Sequence, residues 1–268
     1  MHNVCLAFTD PNGMYALFAA TTLLSMLENT REPVAVHIFH DATLQERGHR
    51  VLERTAEKYG SPIIFHHITR TMLEKLSIKN FNVFTVGALY RYFIPELVPH
   101  ETVLYTDCDI VFTLDVKEVF EAAQEKSFHV GVVQDVGVYS IEAIRKSIME
   151  FGLDYRTYFN SGVMLFNNER LNSTFHSFSK IMISISNRMQ NTYYIDQHAL
   201  NTVFRKYSKL WLDEKFNYML GINNRFYMDK EALAGKILHY TCRKPWCDTS
   251  LPASKIFYEY FSRVCTQD

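Results

Sequence analysis

Residues 4–13 read Val4-Cys5-Leu6-Ala7-Phe8-Thr9-Asp10-Pro11-Asn12-Gly13, an apolar run that stops in a cluster of turn formers, and an uncharged stretch from Met14 to Leu27 follows. The run has the length of a strand, the cluster breaks it, and the long apolar stretch after it suits a helix. The alternation then repeats. Val34 to Phe39 is the next expected strand, ended by His40-Asp41. Thr43 to Tyr59 carries the charge and spacing of an exposed helix with Thr43 as its cap, and Ile63 to His67 makes a third strand after Gly60-Ser61-Pro62. Strands alternating with helices of this length imply right-handed crossovers and a largely parallel sheet, in which ligands sit beyond the strand C-terminal ends. The loops after these strands are therefore candidate site walls.

Further along, Thr85 to Ile94 reads as a helix before Pro95, His129 to Val133 as a strand ending near Asp135, and Gly162 to Phe166 as another strand. Helices are expected over Glu169 to Met189 and Gln197 to Phe204, with irregular chain until Ile237-Leu238-His239 and then a tail from Tyr240 to Asp268. The whole reads as a single α/β domain with a short C-terminal extension.

Composition narrows the function. The 268 residues include 28 Lys plus Arg against 29 Asp plus Glu, and 47% are apolar, so the dense basic footprint of a nucleic-acid binder is missing. The five cysteines are odd in number and form no Cys-x-x-Cys pair, which argues against a disulfide framework and for a reducing, cytoplasmic setting. The uncharged run Pro11 to Leu27 holds Thr21, Thr22 and Ser25 and falls short of a membrane span, and Met1 to Phe8 lacks the character of a secretion signal. The aromatic cluster Phe257 to Phe261 contains Glu259 and is flanked by Lys255 and Arg263, too little net charge for anionic lipid. Packing onto the domain is its expected role, with peripheral contact to the inner face of the membrane as the alternative.

Chemistry concentrates at Thr106-Asp107-Cys108-Asp109-Ile110-Val111-Phe112, where two carboxylates interrupt an apolar run. Asp107 and Asp109 lie two apart, so on an extended segment both leave the same face and can meet one hard divalent cation, as Mg²⁺ or Mn²⁺ bridging a diphosphate requires. With 12 Asp in the chain an Asp-x-Asp arises by chance about one time in two, so its place at a strand end is the stronger signal. Cys108 between them is expected to point into the core. Arg91, among Leu89, Tyr90, Tyr92 and Phe93, calls for a buried anionic partner, either a ligand or a structural Asp. Asn160 and Gln197 offer amides suited to sugar hydroxyls, and Asp10 before Pro11 could equally be a plain turn residue.

Several segments, in order, resemble glycosyltransferase family 8, the group of bacterial lipopolysaccharide galactosyl- and glucosyltransferases and glycogenin-like enzymes. They are Leu6-Ala7-Phe8-Thr9-Asp10, Tyr90-Arg91-Tyr92, Leu104-Tyr105-Thr106-Asp107-Cys108-Asp109, Phe159-Asn160-Ser161-Gly162-Val163, Asp196-Gln197 with Leu200-Asn201, and His239-Tyr240 with Lys244-Pro245-Trp246. The resemblance implies an α/β, GT-A type nucleotide-diphospho-sugar transferase fold with a mostly parallel, Rossmann-like sheet and helices on both faces. It implies a catalytic domain over 1–240, with 241–268 closing over the donor site. The implied activity is transfer of a hexose, galactose or glucose, from a UDP-sugar to a hydroxyl of a glycan, lipid-linked or protein-linked acceptor. The resemblance also implies that configuration is retained and that Mn²⁺, or Mg²⁺, bridges the diphosphate.

By position, Ala7, Thr9, Asp10 and Asn12 should meet uracil and ribose, and Arg91 and Asp107 the donor sugar or ribose. Cys108 belongs to the same donor-facing segment. Asp107, Asp109 and His239 should ring the metal. Asp135, Asn160, Asp196 and Gln197 match the sugar-facing wall, and Lys244 matches the basic residue at the diphosphate. Acceptor walls are expected from 136–158 and 214–236. The segment after His239 departs from the family, which usually shows His, two residues, Gly, two residues, then Lys-Pro-Trp. Here Tyr240-Thr241-Cys242-Arg243 is one residue short and puts Cys242 where glycine would supply positive φ. Lys244 is then expected to sit displaced, with Arg243 as the substitute at the phosphates.

Two rival readings stand beside this one. Asp107-Cys108-Asp109-Ile110-Val111 also fits the nucleophile strand of a haloacid-dehalogenase-like phosphohydrolase, although that motif normally opens the first strand of its domain. A non-catalytic sugar-nucleotide binding module is the other.

Overall fold

The computed structural model describes residues 1–77, 83–98, 101–189, 192 and 194–266; Gln267 and Asp268 of the expected tail lie outside them. The strands are β1 (His2–Ala7), β2 (Val34–His40), β3 (Ile63–His67), β4 (Thr102–Thr106), β5 (Ile110–Phe112), β6 (Val130–Gln134), β7 (Phe159–Asn167), β8 (Lys209–Trp211), β9 (Tyr218–Met219) and β10 (Ile237–His239). Among the described residues seven of them form one sheet in the order β3-β2-β1-β4-β7-β6-β8, and β5-β10-β9 form a second, small sheet. Within the large sheet β7 is antiparallel to both of its neighbours, β4 and β6, and the other pairings are parallel.

Side-chain alternation assigns each strand's residues to one of two cores. Val4 and Leu6 of β1, Val36 and Ile38 of β2, Leu104 of β4 and Val163 of β7 pack on one face with helix α1 (Tyr15–Asn29) and helix α2 (Glu46–Glu57). Cys5 and Ala7, Phe39, Val103 and Tyr105, and Met164 and Phe166 pack on the other, with the helices Phe178–Ser186 and Ile195–Phe204. Helices on both faces explain why β2 is buried along its whole length and reads as a nearly continuous apolar run.

The hydroxyls that interrupt the apolar sequence of α1 have a use. Thr22 Oγ1 donates to the carbonyls of Cys108 (3.0 Å) and Ile110 (2.8 Å), Ser25 Oγ accepts from the Phe112 amide (3.1 Å), and Asn29 Nδ2 donates to the Phe112 carbonyl (3.0 Å). Positions 22, 25 and 29 share one face of the helix. They hold β5 against α1 after the chain has bent out of β4 at Asp107-Cys108-Asp109. β10 then pairs antiparallel with β5, His239 opposite Ile110, and the Tyr240 amide donates to the Asp109 carbonyl at 3.1 Å.

Several expected elements take a different form. Thr43 does not cap α2: its hydroxyl and amide both turn to the Asp41 carboxylate, and Gln45 occupies the N-cap position. The single helix expected over Glu169 to Met189 is two, Asn168–Thr174 and Phe178–Ser186, because Glu96 accepts from the Ser177 hydroxyl and from the amide and hydroxyl of Ser179 at the break. Pro95 starts the short helix Ile94–Leu97 instead of ending one, following helix α3 (Val83–Leu89) and a 3₁₀ turn over Tyr90–Phe93. The stretch between 205 and 236 is not irregular throughout, since β8 and β9 lie in it; strands of three and two residues carry no readable period. β7 begins earlier than its apolar core suggests. Its register with β6 jumps from Val132↔Met164 to Val133↔Asn160, a bulge that hides the strand in the turn-like Asn160-Ser161-Gly162.

The close approach of α3 to β1 rests on Gly87. A Cβ there would lie 2.6 Å from the Thr9 nitrogen and 2.8 Å from the Phe8 carbonyl carbon, both backbone atoms with little room to yield. Gly87→Ala should lower stability by about 1–3 kcal/mol, read as a fall in the urea midpoint. An unchanged midpoint would mean that the helix and strand do not meet this closely.

Candidate functional site

A cavity of about 440 Å³ opens at the C-terminal ends of β1 and β4, the place where open α/β sheets take ligands. On its floor, ligand atoms of Asp107, Asp109 and His239 all lie within 4.8 Å of one another. The β4–β5 bend supplies the two acids, and the β5–β10 ladder brings in His239 from 130 positions along the chain, with Nε2 3.6 Å from Asp109 Oδ1. Two carboxylates and an imidazole are a donor set able to hold one divalent cation. Gly162 makes the fit possible, because a Cβ at that position would lie 2.2 Å from His239 Cε1. Burial lowers the His239 pKa, which favours the neutral ring that a ligand must be.

The two acids differ electrostatically. Burial pushes the Asp107 carboxyl up, against the opposing pull of Arg91. Burial acts on Asp109 in the same direction, but the Lys244 ammonium and His239 outweigh it and the net shift is downward. Lys244 Nζ is bonded directly to Asp109 Oδ2.

Arg91 is buried, and its guanidinium is engaged on every side. Nε donates to the Ala88 carbonyl (2.7 Å), Nη1 to the Ser161 carbonyl, and Nη2 reaches Asp107 (3.0 Å) and Asp196 (3.4 Å), with the plane over the Tyr105 ring. The anionic partners expected for it are therefore two carboxylates of the chain itself. It ties Asp107 on the cavity floor to the opposite wall.

That wall is a continuous hydrogen-bond network. Asp135 Oδ2 accepts from Gln197 Nε2 (3.0 Å) and Asn160 Nδ2 (3.3 Å), while its Oδ1 accepts from the Gly137 amide (3.0 Å). Gln197 Oε1 accepts from the Ser161 amide (3.0 Å), and Asp196 accepts from the Ser161 hydroxyl (3.2 Å). Asp135, Asn160, Asp196 and Gln197, drawn from three separate stretches of sequence, thus meet as one surface. The β7 bulge is what turns Asn160 and Ser161 toward it.

Not every expected residue reaches the cavity. Ala7 and Cys108 line it, though the Cys108 side chain also belongs to the apolar core as expected. Thr9 is buried beneath α3. Asp10 Oδ1 accepts from the Tyr15 amide at 2.8 Å and so serves the start of α1, the turn role open to it from sequence. Asn12 is exposed in that loop, and Asp10 and Asn12 line a separate hollow with Gln45 and Gly48. Arg243 does not replace Lys244: it is exposed and reaches Asp248 at 3.4 Å, whereas Lys244 lines the cavity beside Asp109. The shortened loop is accommodated by Cys242 itself, at φ 63°, and by the stacking of Trp246 on Phe18 at 3.7 Å, which anchors the Lys-Pro-Trp segment. Of the two stretches expected as acceptor walls, Gly137, Ile141 and Ile144 from the first and Met219 and Ile222 from the second border the cavity.

Sequence reasoning missed Tyr15, Ser161 and Asn217. Tyr15 lines the cavity near Asp109 and Lys244, and burial pushes its phenol up to about 12; it read only as the start of an apolar helix. Ser161 stood inside a quoted segment without a role, although its amide, carbonyl and hydroxyl all serve the site. Asn217 lies in a stretch whose sequence shows no helix or strand period and no motif.

The profile of glycosyl transferase family 8 matches residues 5–250. Glycosyltransferase GlyB of Streptococcus pneumoniae serotype 4 is 29% identical over 223 residues, which cover 78% of this chain and 50% of that protein. Glycosyltransferase GlyF of the same organism is 27% identical over 237 residues, covering 87% and 54%. The chain thus spans about half the length of these two relatives. Among solved structures, the galactosyltransferase LgtC in complex with donor and acceptor sugar analogs superposes with a TM-score of 0.77 at 18% identity, covering 98% of this chain and 96% of that one. GlyE of Streptococcus pneumoniae TIGR4 superposes with a TM-score of 0.69 at 20% identity, covering 100% and 63%. The fold is that of the GT-A type glycosyltransferases. No helix of the described residues is long and apolar enough to cross a membrane.

Cys242 in the left-handed region carries a cost that glycine would not. Relief of that strain, less the extra freedom glycine gives the unfolded chain, should make Cys242→Gly more stable by about 0.5–1 kcal/mol in urea denaturation. A lower midpoint would show that the thiol's packing beside Gly221 outweighs the strain.

Proposed function

The chain belongs to glycosyltransferase family 8, and from that premise we propose that it is a retaining hexosyltransferase. It moves galactose or glucose from a UDP-sugar to a hydroxyl of a glycan, lipid-linked or protein-linked acceptor, with Mn²⁺ at Asp107, Asp109 and His239. The observation that carries this reading is the convergence of two acids and one imidazole at the cavity floor, facing a wall of sugar-compatible amides and carboxylates. The imidazole favours Mn²⁺ over Mg²⁺, which prefers an all-oxygen shell.

When bound, the ion supplies positive charge for the diphosphate as the glycosidic bond breaks. Lys244, beside Asp109, adds a second positive charge to the same end of the cavity, where leaving-group charge grows. Its salt bridge to Asp109 keeps that ammonium at the floor before any donor arrives. Asp135, Asn160 and Gln197 bond one another tightly enough to be preorganised, and they present the sugar with fixed donors and acceptors. Gln197 offers only a neutral amide with both ends engaged, and Asp196 is bonded to Arg91 and Ser161. Neither is well disposed as a nucleophile. This supports front-face attack, in which the departing phosphate oxygen takes the acceptor's proton. Residues 241–268 act in this reading as an extension that closes the donor end, carrying Lys244 on an anchor of Trp246 and the helix Pro252–Cys265.

A panel of UDP-sugars assayed for metal-dependent UDP release tests the proposal. Asp109→Asn keeps the shape and removes the charge, and should cut turnover at least about a hundredfold, equivalent to about 2.7 kcal/mol. Full activity in EDTA contradicts the metal assignment. Proton NMR of the product during turnover should show the donor's α configuration kept, and a β product would rule out retention.

A further inference from the structure

We propose that Asn217 is a positioning residue for the metal site, holding His239 in the tautomer whose Nε2 is free to bind the ion. This rests on the metal reading above. Asn217 is wholly buried at the end of the 3₁₀ turn Glu214–Asn217, just before β9. Its Oδ1 lies 2.9 Å from His239 Nδ1, and its Nδ2 lies 2.9 Å from Asn160 Oδ1.

The direction of each bond follows from groups whose polarity is not in doubt. The Gly162 amide can only donate, and it meets the side chain of Asn160 at 2.9 Å, so the atom it meets is the carbonyl oxygen Oδ1. The other end of Asn160 is then its amide nitrogen, which fits its contact with the Asp135 carboxylate at 3.3 Å. Because Asn160 Oδ1 accepts, the atom of Asn217 that faces it must donate, and is Nδ2. Asn217 Oδ1 is left to face His239, and an amide oxygen accepts only. His239 therefore carries its proton on Nδ1, and Nε2 turns an unprotonated lone pair toward Asp109 and Asp107.

This is the outer-shell support that a metal-binding histidine ordinarily needs, since the bond at one ring nitrogen fixes both the tautomer and the orientation of the other. The relay also runs beyond the metal. From His239 it passes through Asn217 and Asn160 to Asp135, and Asp135 receives Gln197. The wall that faces the sugar and the imidazole that faces the ion are thus fixed by the same chain of amides.

The test reads metal uptake without turnover: free Mn²⁺ is titrated by electron paramagnetic resonance against the intact chain with no donor present. Asn217→Leu, which removes the acceptor, should weaken Mn²⁺ binding about 10- to 100-fold. Asn217→Asp keeps an acceptor for Nδ1–H but sets a carboxylate oxygen against Asn160 Oδ1, so it should bind Mn²⁺ more tightly than Asn217→Leu and less tightly than the wild type. In a His239→Ala background, Asn217→Leu should cost no more than about twofold further, because its effect acts through the ring. Nitrogen-15 NMR of the metal-free wild type should show the Nδ1–H tautomer at His239, a readout that survives even if the Leu variant does not fold. Wild-type affinity in Asn217→Leu, or an Nε2–H tautomer in the wild type, would overturn this inference alone. A wild-type chain that takes up no Mn²⁺ would overturn the metal reading and this inference with it.

Discussion

The site depends on the pairing of Ile110–Phe112 with Ile237–His239. Without that short ladder, His239 would have no reason to lie beside Asp109, since nearly half the chain separates them. The ladder is itself held by α1, whose Thr22, Ser25 and Asn29 bond the backbone of the β4–β5 bend and of β5. Thr22 and Ser25 are buried hydroxyls in a largely apolar helix, a placement that is costly unless each finds a partner, and Asn29 is half-buried at its end. Each does, and the result is a rigid turn that sets both acids at the end of the sheet.

Around that floor the cavity is built from polar groups that bond to one another as well as face the opening. Arg91 joins Asp107 to Asp196, Ser161 joins Arg91 to Gln197, and Asp135 joins Gln197 to Asn160. A network of this kind is stable only when its members are satisfied together, and when they are it holds side chains in one arrangement. Such fixity suits chemistry in which charge develops at one end of a substrate while the other end is held by its hydroxyls.

The sequence made the outline of this fold legible where periods were long. The strand-loop-helix order of the first 67 residues and the assignment of Asp107 and Asp109 to a strand end needed only apolar runs and breakers. The short strands β8 and β9 escaped because two or three residues hold no period, and the start of β7 escaped because its bulge uses residues that read as a turn. Charge and motif single out Asp135, and the structure places it at the centre of the wall network. Ser161 and Asn217, which work through backbone atoms or through a side chain outside any motif, carry no such signal. Ser161 contributes mainly its amide and carbonyl, and Asn217 lies in a stretch with no motif at all. The missing glycine after His239 points to a residue with positive φ, and Cys242 adopts it. The expected displacement of Lys244 does not follow, because the strain is absorbed at Cys242: Lys244 pairs with Asp109 while Arg243 faces Asp248.

What joins these observations is one claim, that Asp107, Asp109 and His239 hold a divalent cation against which a nucleotide diphosphate is bound. The most direct measurement is a crystal structure grown with Mn²⁺ and UDP, with anomalous scattering collected across the manganese edge. The account predicts one manganese peak bonded to a carboxylate oxygen of each acid and to His239 Nε2, with diphosphate oxygens completing its shell and Lys244 turned toward them. A manganese peak elsewhere, or UDP bound in the cavity with no metal between it and the two acids, would contradict it.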